Sequence, residues 1–120
     1  MEKLNLPRFD HNIKQQGDKT VIFDIIRKKY IVLTPEEWVR QHFVHYLITD
    51  LKFARGLIRV EGGLLYNTMQ KRSDILAYGR DSKPFMLVEC KSPDVAINQS
   101  TFRQAAMYNK TINAKYVVLT

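Results

Sequence analysis

The sequence predicts one α/β domain in which a β-hairpin precedes elements in the order α-β-β-β-α-β. Three observations lead to this prediction. A helix start at Thr34 is followed by apolar residues at helical spacing, β-branched runs recur before and after that helix, and Ser100 to Ile112 has helical periodicity. A chain of 120 residues fits one such domain. Its 45% hydrophobic residues are enough to bury one core, which argues against disorder.

The segment before the hairpin is polar and mixed. Residues 1–18 predict an arm that ends in a turn at Gln15-Gln16-Gly17-Asp18. After it, Val21 to Ile26 and Tyr30 to Leu33 are β-branched runs on either side of Arg27-Lys28-Lys29. Runs of this kind around a short polar segment predict the two strands of a hairpin.

The first helix has a clear start. Thr34 can cap it, Pro35 suits its first position, and Glu37 completes a capping box three residues after the threonine. Apolar residues then recur at helical spacing to about Leu51, and Glu36 lies in line with them, so a carboxylate heads the buried face. These apolar positions are Val39, Phe43, Tyr46, Leu47 and Leu51.

Three aromatic side chains lie off this apolar stripe. His42 and His45 are on the helix away from Glu36 and are expected in solvent. Trp38 is expected to pack against the N-terminal arm or against a partner, and the sequence does not decide between them.

The second half of the chain predicts three strands, a helix and a last strand. Gly79 to Lys83 has the composition of a hairpin loop, and Ser92-Pro93 ends the strand that follows it. The predicted elements are the strands Leu57 to Val60, Ser73 to Tyr78 and Pro84 to Lys91, the helix Ser100 to Ile112, and the strand Tyr116 to Leu119.

Composition narrows the functional class. Nineteen Lys and Arg against twelve Asp and Glu leave a net charge of +7, which favours a polyanionic partner such as DNA. Cys90 is the only cysteine, so no intrachain disulfide can form, and no Cys/His cluster has zinc spacing. No apolar run is long enough for a membrane span or a signal peptide. These features predict a cytoplasmic protein.

Charged residues interrupt the strand that ends in Leu87-Val88-Glu89-Cys90-Lys91. Glu89 and Lys91 share one strand face, and pairing through the Gly79 loop brings Asp74, at the start of the preceding strand, beside Glu89. Two converging carboxylates bind hard cations such as Mg²⁺, and a neighbouring lysine can orient an attacking water. The simpler interpretation is an edge strand with one solvated face.

Asp74, then Glu89-Cys90-Lys91, resembles the motif of the PD-(D/E)xK nuclease superfamily, although Ser73 stands where the usual proline would be. The resemblance implies a restriction-endonuclease-like core, a mixed β-sheet flanked by helices, with Asp74, Glu89 and Lys91 as catalytic residues. It also implies a Mg²⁺ cofactor, or Mn²⁺, held by Asp74 and Glu89 together with a glutamate of the first helix. Glu36 is favoured for that role by its face and Glu37 by its proximity, unless Glu37 only completes the capping box.

Further residues resemble parts of the same superfamily. Gln104-Ala-Ala-Met-Tyr108 is similar to the Q-x-x-x-Y motif of its RecB-like members. This resemblance implies that Gln104 and Tyr108, which share one helix face, look towards the site and support it or the DNA backbone. Arg72 shares a strand face with Asp74, and contact with a phosphate or with an acid is equally expected for it.

A narrower resemblance covers about Tyr30 to Thr120. The segments Thr34-Pro-Glu-Glu-Trp-Val-Arg-Gln41, Arg72-Ser-Asp74, Lys83 to Pro93, and Phe102-Arg-Gln104 with Tyr108-Asn109 are similar to the N-terminal domain of type I restriction enzyme R subunits. In such subunits this domain precedes a helicase motor, but no Walker phosphate loop occurs here.

This resemblance implies a metal-dependent DNA endonuclease domain. The partners it implies are DNA and the helicase or restriction–modification subunits. A homodimer would be required if a domain with one site is to cut both strands. The alternative is a catalytically inactive DNA-binding or assembly module with the same fold.

Overall fold

A computed structural model describes residues 3–60 and 74–120. The described chain contains two helices and two β-sheets, and the element order expected from the sequence after residue 18 is confirmed. The strands are β1 Ile13–Gln16, β2 Lys19–Asp24, β3 Lys29–Val32, β4 Ile58–Val60, β5 Ile75–Tyr78, β6 Pro84–Glu89 and β7 Tyr116–Leu119, and the helices are α1 Pro35–Thr49 and α2 Gln99–Ile112. A short 3-10 turn, Arg55–Leu57, leads into β4.

The first sheet has the antiparallel order β1-β2-β3, which confirms the predicted hairpin. It also corrects the expected arm, because Ile13–Gln16 pairs with Lys19–Asp24 around a turn in which Gly17 has a φ of +66°. Ile25 and Ile26, expected in the strand, lie in the next turn. The reason is that one carboxylate oxygen of Asp24 accepts hydrogen bonds from the backbone N–H groups of Ile26 and Arg27, both at 2.8 Å.

Helix α1 begins as the sequence predicts. The hydroxyl of Thr34 accepts a hydrogen bond from the backbone N–H of Glu37 at 3.0 Å, and Pro35 occupies the first helical position. The helix buries Val39, Phe43, Val44 and Leu47 against one face of the second sheet. It therefore supplies one side of the main core.

The second sheet is mixed, with the order β4-β5-β6-β7. β4, β5 and β6 are antiparallel neighbours, whereas β7 runs parallel to β6. Alternate residues of β5 and β6 face opposite sides: Ile75 and Val88 pack in the α1 core, and Leu76 and Leu87 pack towards α2. The two helices thus cover opposite faces of this sheet.

Two element boundaries near the site differ from the sequence prediction. β6 ends at Glu89 rather than Lys91, although the backbone N–H of Lys91 still donates to the carbonyl of Thr120 at 2.7 Å. α2 starts one residue early because the side chain of Asn98 accepts a hydrogen bond from the backbone N–H of Thr101 at 3.0 Å. Ser73, expected to start β5, lies outside the described residues.

Candidate active site

The register of β5 and β6 brings two acids together at the end of the sheet. Ile75 pairs with Val88 in antiparallel register, so Asp74 and Glu89 come next to each other on the same face. Asp74 is only 8% exposed, and its Oδ2 accepts a hydrogen bond from the backbone N–H of Cys90 at 2.7 Å. The two carboxylates that the sequence pairs therefore lie side by side in the folded chain.

The neighbouring carboxylate of Asp74 affects the pKa of Glu89. Burial is the main cause that raises its pKa to about 8, followed by a side-chain hydrogen bond to Asp74 and by repulsion from the same carboxylate. The ammonium group of Lys91 lies near enough to lower this pKa, and the charge of Glu36 raises it. Within the described residues Oε2 of Glu89 is buried with no hydrogen-bond partner. The pair therefore presents a buried oxygen suited to a cation.

A buried arginine holds the other side of the pair. Nη2 of Arg40 lies 2.7 Å from Oδ1 of Asp74 and 3.2 Å from Oε2 of Glu36, and Nη1 lies 2.5 Å from Oε1 of Glu37. The side chain of Arg40 is 3% exposed. One guanidinium group thus joins two consecutive glutamates of α1 to the acid that precedes β5.

The two helix glutamates have different surroundings. Oε2 of Glu37 accepts hydrogen bonds from Arg27 at 2.9 Å and from Gln41 at 2.8 Å, so its carboxylate is used inside the protein. The reciprocal half of the expected capping box is absent between Glu37 and Thr34, because these donors take the carboxylate instead. The side chain of Glu36 is 46% exposed and shares Nη2 of Arg40 with Asp74. Glu36 is therefore the glutamate that faces the acid pair.

The remaining candidates are less closely tied to the pair. Lys91 is half-buried next to it, whereas Gln104 is exposed on α2 and makes no hydrogen bond to Asp74, Glu89 or Lys91. Tyr108 packs against Leu76 and Leu87 on the sheet face that α2 covers. Arg72 lies outside the described residues. Across residues 3–60 and 74–120, no group of three His, Cys, Asp or Glu side chains is arranged to hold a metal ion.

Sequence reasoning did not identify Arg40 as a site residue. A signal was present, since Arg40 follows Glu36 and Glu37 by four and three positions and so lies on their helix face. The expectation that His42 is solvated is wrong: it is 5% exposed, its Nδ1 contacts the carbonyl of Trp38 at 2.8 Å, and Phe9 packs against it. Trp38 packs against Phe9 of the N-terminal segment, which was one of the two positions expected for it.

Cys90 is a core residue, as its strand position suggested. It is fully buried in the α1 core, and burial together with the charge of Asp74 raises the pKa of its thiol. A thiol in this environment stays protonated and is a poor nucleophile.

This geometry defines an α/β domain that carries two adjacent acids, a neighbouring lysine and a bridging arginine. Residues 35–120 match the family model described as Type I restriction enzyme R protein N terminus (HSDR_N), and the chain belongs to this family. The match runs from the first residue of α1 to the end of β7 and includes Asp74, Glu89 and Lys91. A search of curated proteins found no match. None of the helices in the described ranges is long and apolar enough to cross a membrane.

The ion pairs of Arg40 predict a large effect of its removal on stability. Arg40→Met keeps much of the side-chain volume but leaves the carboxylate of Asp74 buried without its arginine and that of Glu37 with Arg27 alone. We expect the free energy of unfolding in urea to fall by about 3–5 kcal/mol. Arg80→Met, at an exposed loop position, serves as the control and should change it by less than about 0.5 kcal/mol. Equal losses in the two variants would contradict the stabilising role of Arg40.

The raised pKa of Glu89 predicts a pH dependence of stability in the metal-free protein. Folding favours the protonated carboxyl, so this contribution is complete below the usual pKa of 4.5 and is lost as the pH rises through about 8. Glu89→Gln cannot titrate and should remove this fall in stability between the two values. Burial lowers the pKa of His42 and His45, which acts in the opposite direction but equally in both proteins. Parallel unfolding curves across this range for wild type and Glu89→Gln would contradict the prediction.

Proposed function

We propose that this chain is a metal-dependent DNA endonuclease domain of the restriction R-subunit type, which hydrolyses phosphodiester bonds. The observation that carries the proposal is the Asp74–Glu89 pair, in which Asp74 is buried and Glu89 is half-buried. One oxygen of Glu89 has no partner among the described residues, and Lys91 lies beside it. Membership of the R-protein N-terminal family supports the same activity. The order α1-β4-β5-β6-α2-β7 agrees with the core of PD-(D/E)xK nucleases.

The chemistry of the donors suits Mg²⁺, with Mn²⁺ as a substitute. Asp74 and Glu89 supply hard carboxylate oxygens, and Glu36 adds a third, partly exposed carboxylate on the neighbouring helix. When bound, such an ion stabilises the charge that develops on the phosphate and activates a water molecule. The negative charges of Asp74 and Glu36 act on Glu89 together with the positive charge of Lys91. The resulting excess of negative charge favours the binding of a cation.

Each protein group has a proposed task. Lys91 orients the attacking water, and the positive charge of its ammonium group, which is adjacent to Glu89, favours the loss of a proton from that water. Arg40 and the backbone N–H of Cys90 orient the two oxygens of Asp74. Tyr108 supports the sheet from the α2 side, and exposed Gln104 contacts the DNA backbone. Arg72 contributes a phosphate contact or an ion pair.

The proposed partners are DNA and, within a restriction system, the helicase and modification subunits. Cleavage of both strands by a domain with one site would also require a second copy. Two observations favour the alternative, an inactive DNA-binding or assembly module. Arg40 already occupies Oδ1 of Asp74, and the described residues include no group of three side chains arranged for a metal.

Two substitutions separate catalysis from metal binding. Lys91→Ala keeps all three carboxylates, so it should retain most Mg²⁺ affinity and lose about 100-fold or more in cleavage rate. Asp74→Asn should lose both, because it removes one charge of the pair. Calorimetric titration with Mg²⁺ or Mn²⁺ and plasmid cleavage would measure the two effects. Lys83→Ala, on the exposed β5–β6 loop, is the matched control.

The opposite result is equally clear. If the wild-type domain binds DNA but takes up no metal and cuts neither duplex, single-stranded nor supercoiled substrates, the inactive-module interpretation is correct. Chelator-insensitive cleavage would also contradict the proposed metal site.

The net charge of +7 predicts salt-sensitive DNA binding. Neutralised phosphates release counterions, so affinity should fall by about tenfold or more between 50 and 200 mM salt. Fluorescence anisotropy with a labelled duplex measures this dependence. Affinity that stays constant over this range, or the absence of binding, would support an assembly domain instead.

A further inference from the structure

A cavity of about 330 Å³ lies between the N-terminal segment and α1. Its floor contains the buried rings of Trp38 and His42, while Phe9 is half-buried and His11 is exposed. The candidate active site does not include any of these residues. The volume lies within the range of small-ligand pockets in proteins.

The aromatic part of this cavity is closely packed. Phe9 lies with its ring centroid 5.9 Å from that of Trp38 and 4.7 Å from that of His42, and His11 lies 5.5 Å from Trp38. These contacts hold the N-terminal segment on α1. Phe9 also stacks on His45, with the ring centroids 4.2 Å apart and the ring planes at 21°, so His45 covers one face of its ring. The part of Phe9 that lines the cavity and the exposed ring of His11 remain as the surface against which a flat ring can pack.

Two cations line the same cavity without a protein counterion. Lys3 and Arg8 are exposed, and neither makes an ion pair with a carboxylate within residues 3–60 and 74–120. Among residues 3–60 and 74–120, those that line the cavity include no acid. Unpaired cations beside aromatic rings recognise a ligand that combines a flat ring with negative charge. A nucleotide has both properties.

The cavity also adjoins the candidate active site. Leu4 and Leu6 line it and also line a second cavity of about 290 Å³, whose other walls include Lys91 and Thr120. The N-terminal segment therefore borders both spaces. A DNA strand bound at Lys91 would therefore lie next to the aromatic cavity.

We propose that this cavity binds one nucleotide unit, with its base against Phe9 and His11 and its phosphate paired with Lys3 and Arg8. The pocket stands on its own geometry, whereas its use by a DNA strand at Lys91 rests on the proposed nuclease function. The same chemistry is offered by a free mononucleotide and by one residue of a single strand. The test distinguishes these two sources.

Trp38 is the only tryptophan, so its fluorescence reports directly on the cavity. Thymidine monophosphate should change that fluorescence saturably, whereas thymidine and inorganic phosphate, each of which lacks one of the two recognised groups, should bind at least about tenfold more weakly. Arg8→Ala should weaken thymidine monophosphate by about tenfold, the loss of one charged hydrogen bond. Arg80→Ala, an exposed arginine on the β5–β6 loop, should leave it unchanged.

A second variant tests the aromatic wall. Phe9→Leu keeps apolar volume under the N-terminal segment but removes the stacking ring, so nucleotide affinity should fall by about fivefold or more. Circular dichroism and unfolding in urea verify that each variant is folded. Saturable binding that neither Arg8→Ala nor Phe9→Leu weakens, or no binding of any nucleotide, would overturn the proposal.

A short thymidine oligonucleotide identifies the source. Binding of the oligonucleotide with the same loss in Arg8→Ala assigns the pocket to a nucleotide within a strand, and binding of the monophosphate alone assigns it to a free nucleotide. Lys83→Ala, the control used for cleavage, should bind either ligand normally, because that residue lies outside the cavity. These titrations contain no divalent metal and do not depend on cleavage. Failure of the nuclease proposal and failure of this pocket therefore give different results.

Discussion

The ion pairs of Glu37 and Arg40 are the interaction on which the arrangement of the described elements depends. Glu37 receives Arg27 from the turn after β2, and Arg40 reaches Asp74 at the start of β5. Asp24 pairs with Arg27 and fastens the same turn. A buried charge is tolerated only when it is paired, so these contacts require the hairpin, α1 and the second sheet to meet in one relative position. Nonpolar packing by α1 supplies the stability, and the ion pairs specify the alignment.

The same network explains the electrostatics of the site. Among the described residues, the carboxylates of Asp24, Glu36, Glu37 and Asp74 contact only two guanidinium groups, and Glu89 adds a further acid beside them. Burial is the main cause that raises the pKa of Glu89, and this local excess of negative charge adds to it in a chain whose net charge is +7. Arg40 both orients Asp74 and occupies one of its oxygens. The metal ion proposed above would have to share that carboxylate with Arg40, and this competition distinguishes the proposed nuclease from the inactive-module alternative.

Patterns that depend on neighbouring residues were predicted well. The start of α1 followed from Thr34 and Pro35, and β7 has the boundaries that its apolar run indicated, Tyr116–Leu119. Prediction failed where a distant side chain intervened. Ile13–Gln16 is polar, and it becomes a strand only because β2 supplies its hydrogen bonds. His42 is buried because Phe9, far away in the sequence, packs over it. The apolar pattern of α1 contains no information about that contact.

The sequence by itself determined the order of the elements and the pairing of β5 with β6, because a short loop at Gly79 joins two apolar strands. The tertiary structure adds a register shift between Ala77 and Tyr78, and this shift places Asp74 opposite Glu89. Only the tertiary structure decided which helix glutamate faces the pair, because Glu36 and Glu37 are adjacent and differ in their partners, not in their pattern. The tertiary structure also revealed that Arg40 links Glu36 and Glu37 to Asp74. Contacts between side chains that are 34 positions apart, as Arg40 and Asp74 are, depend on how the helix is packed onto the sheet.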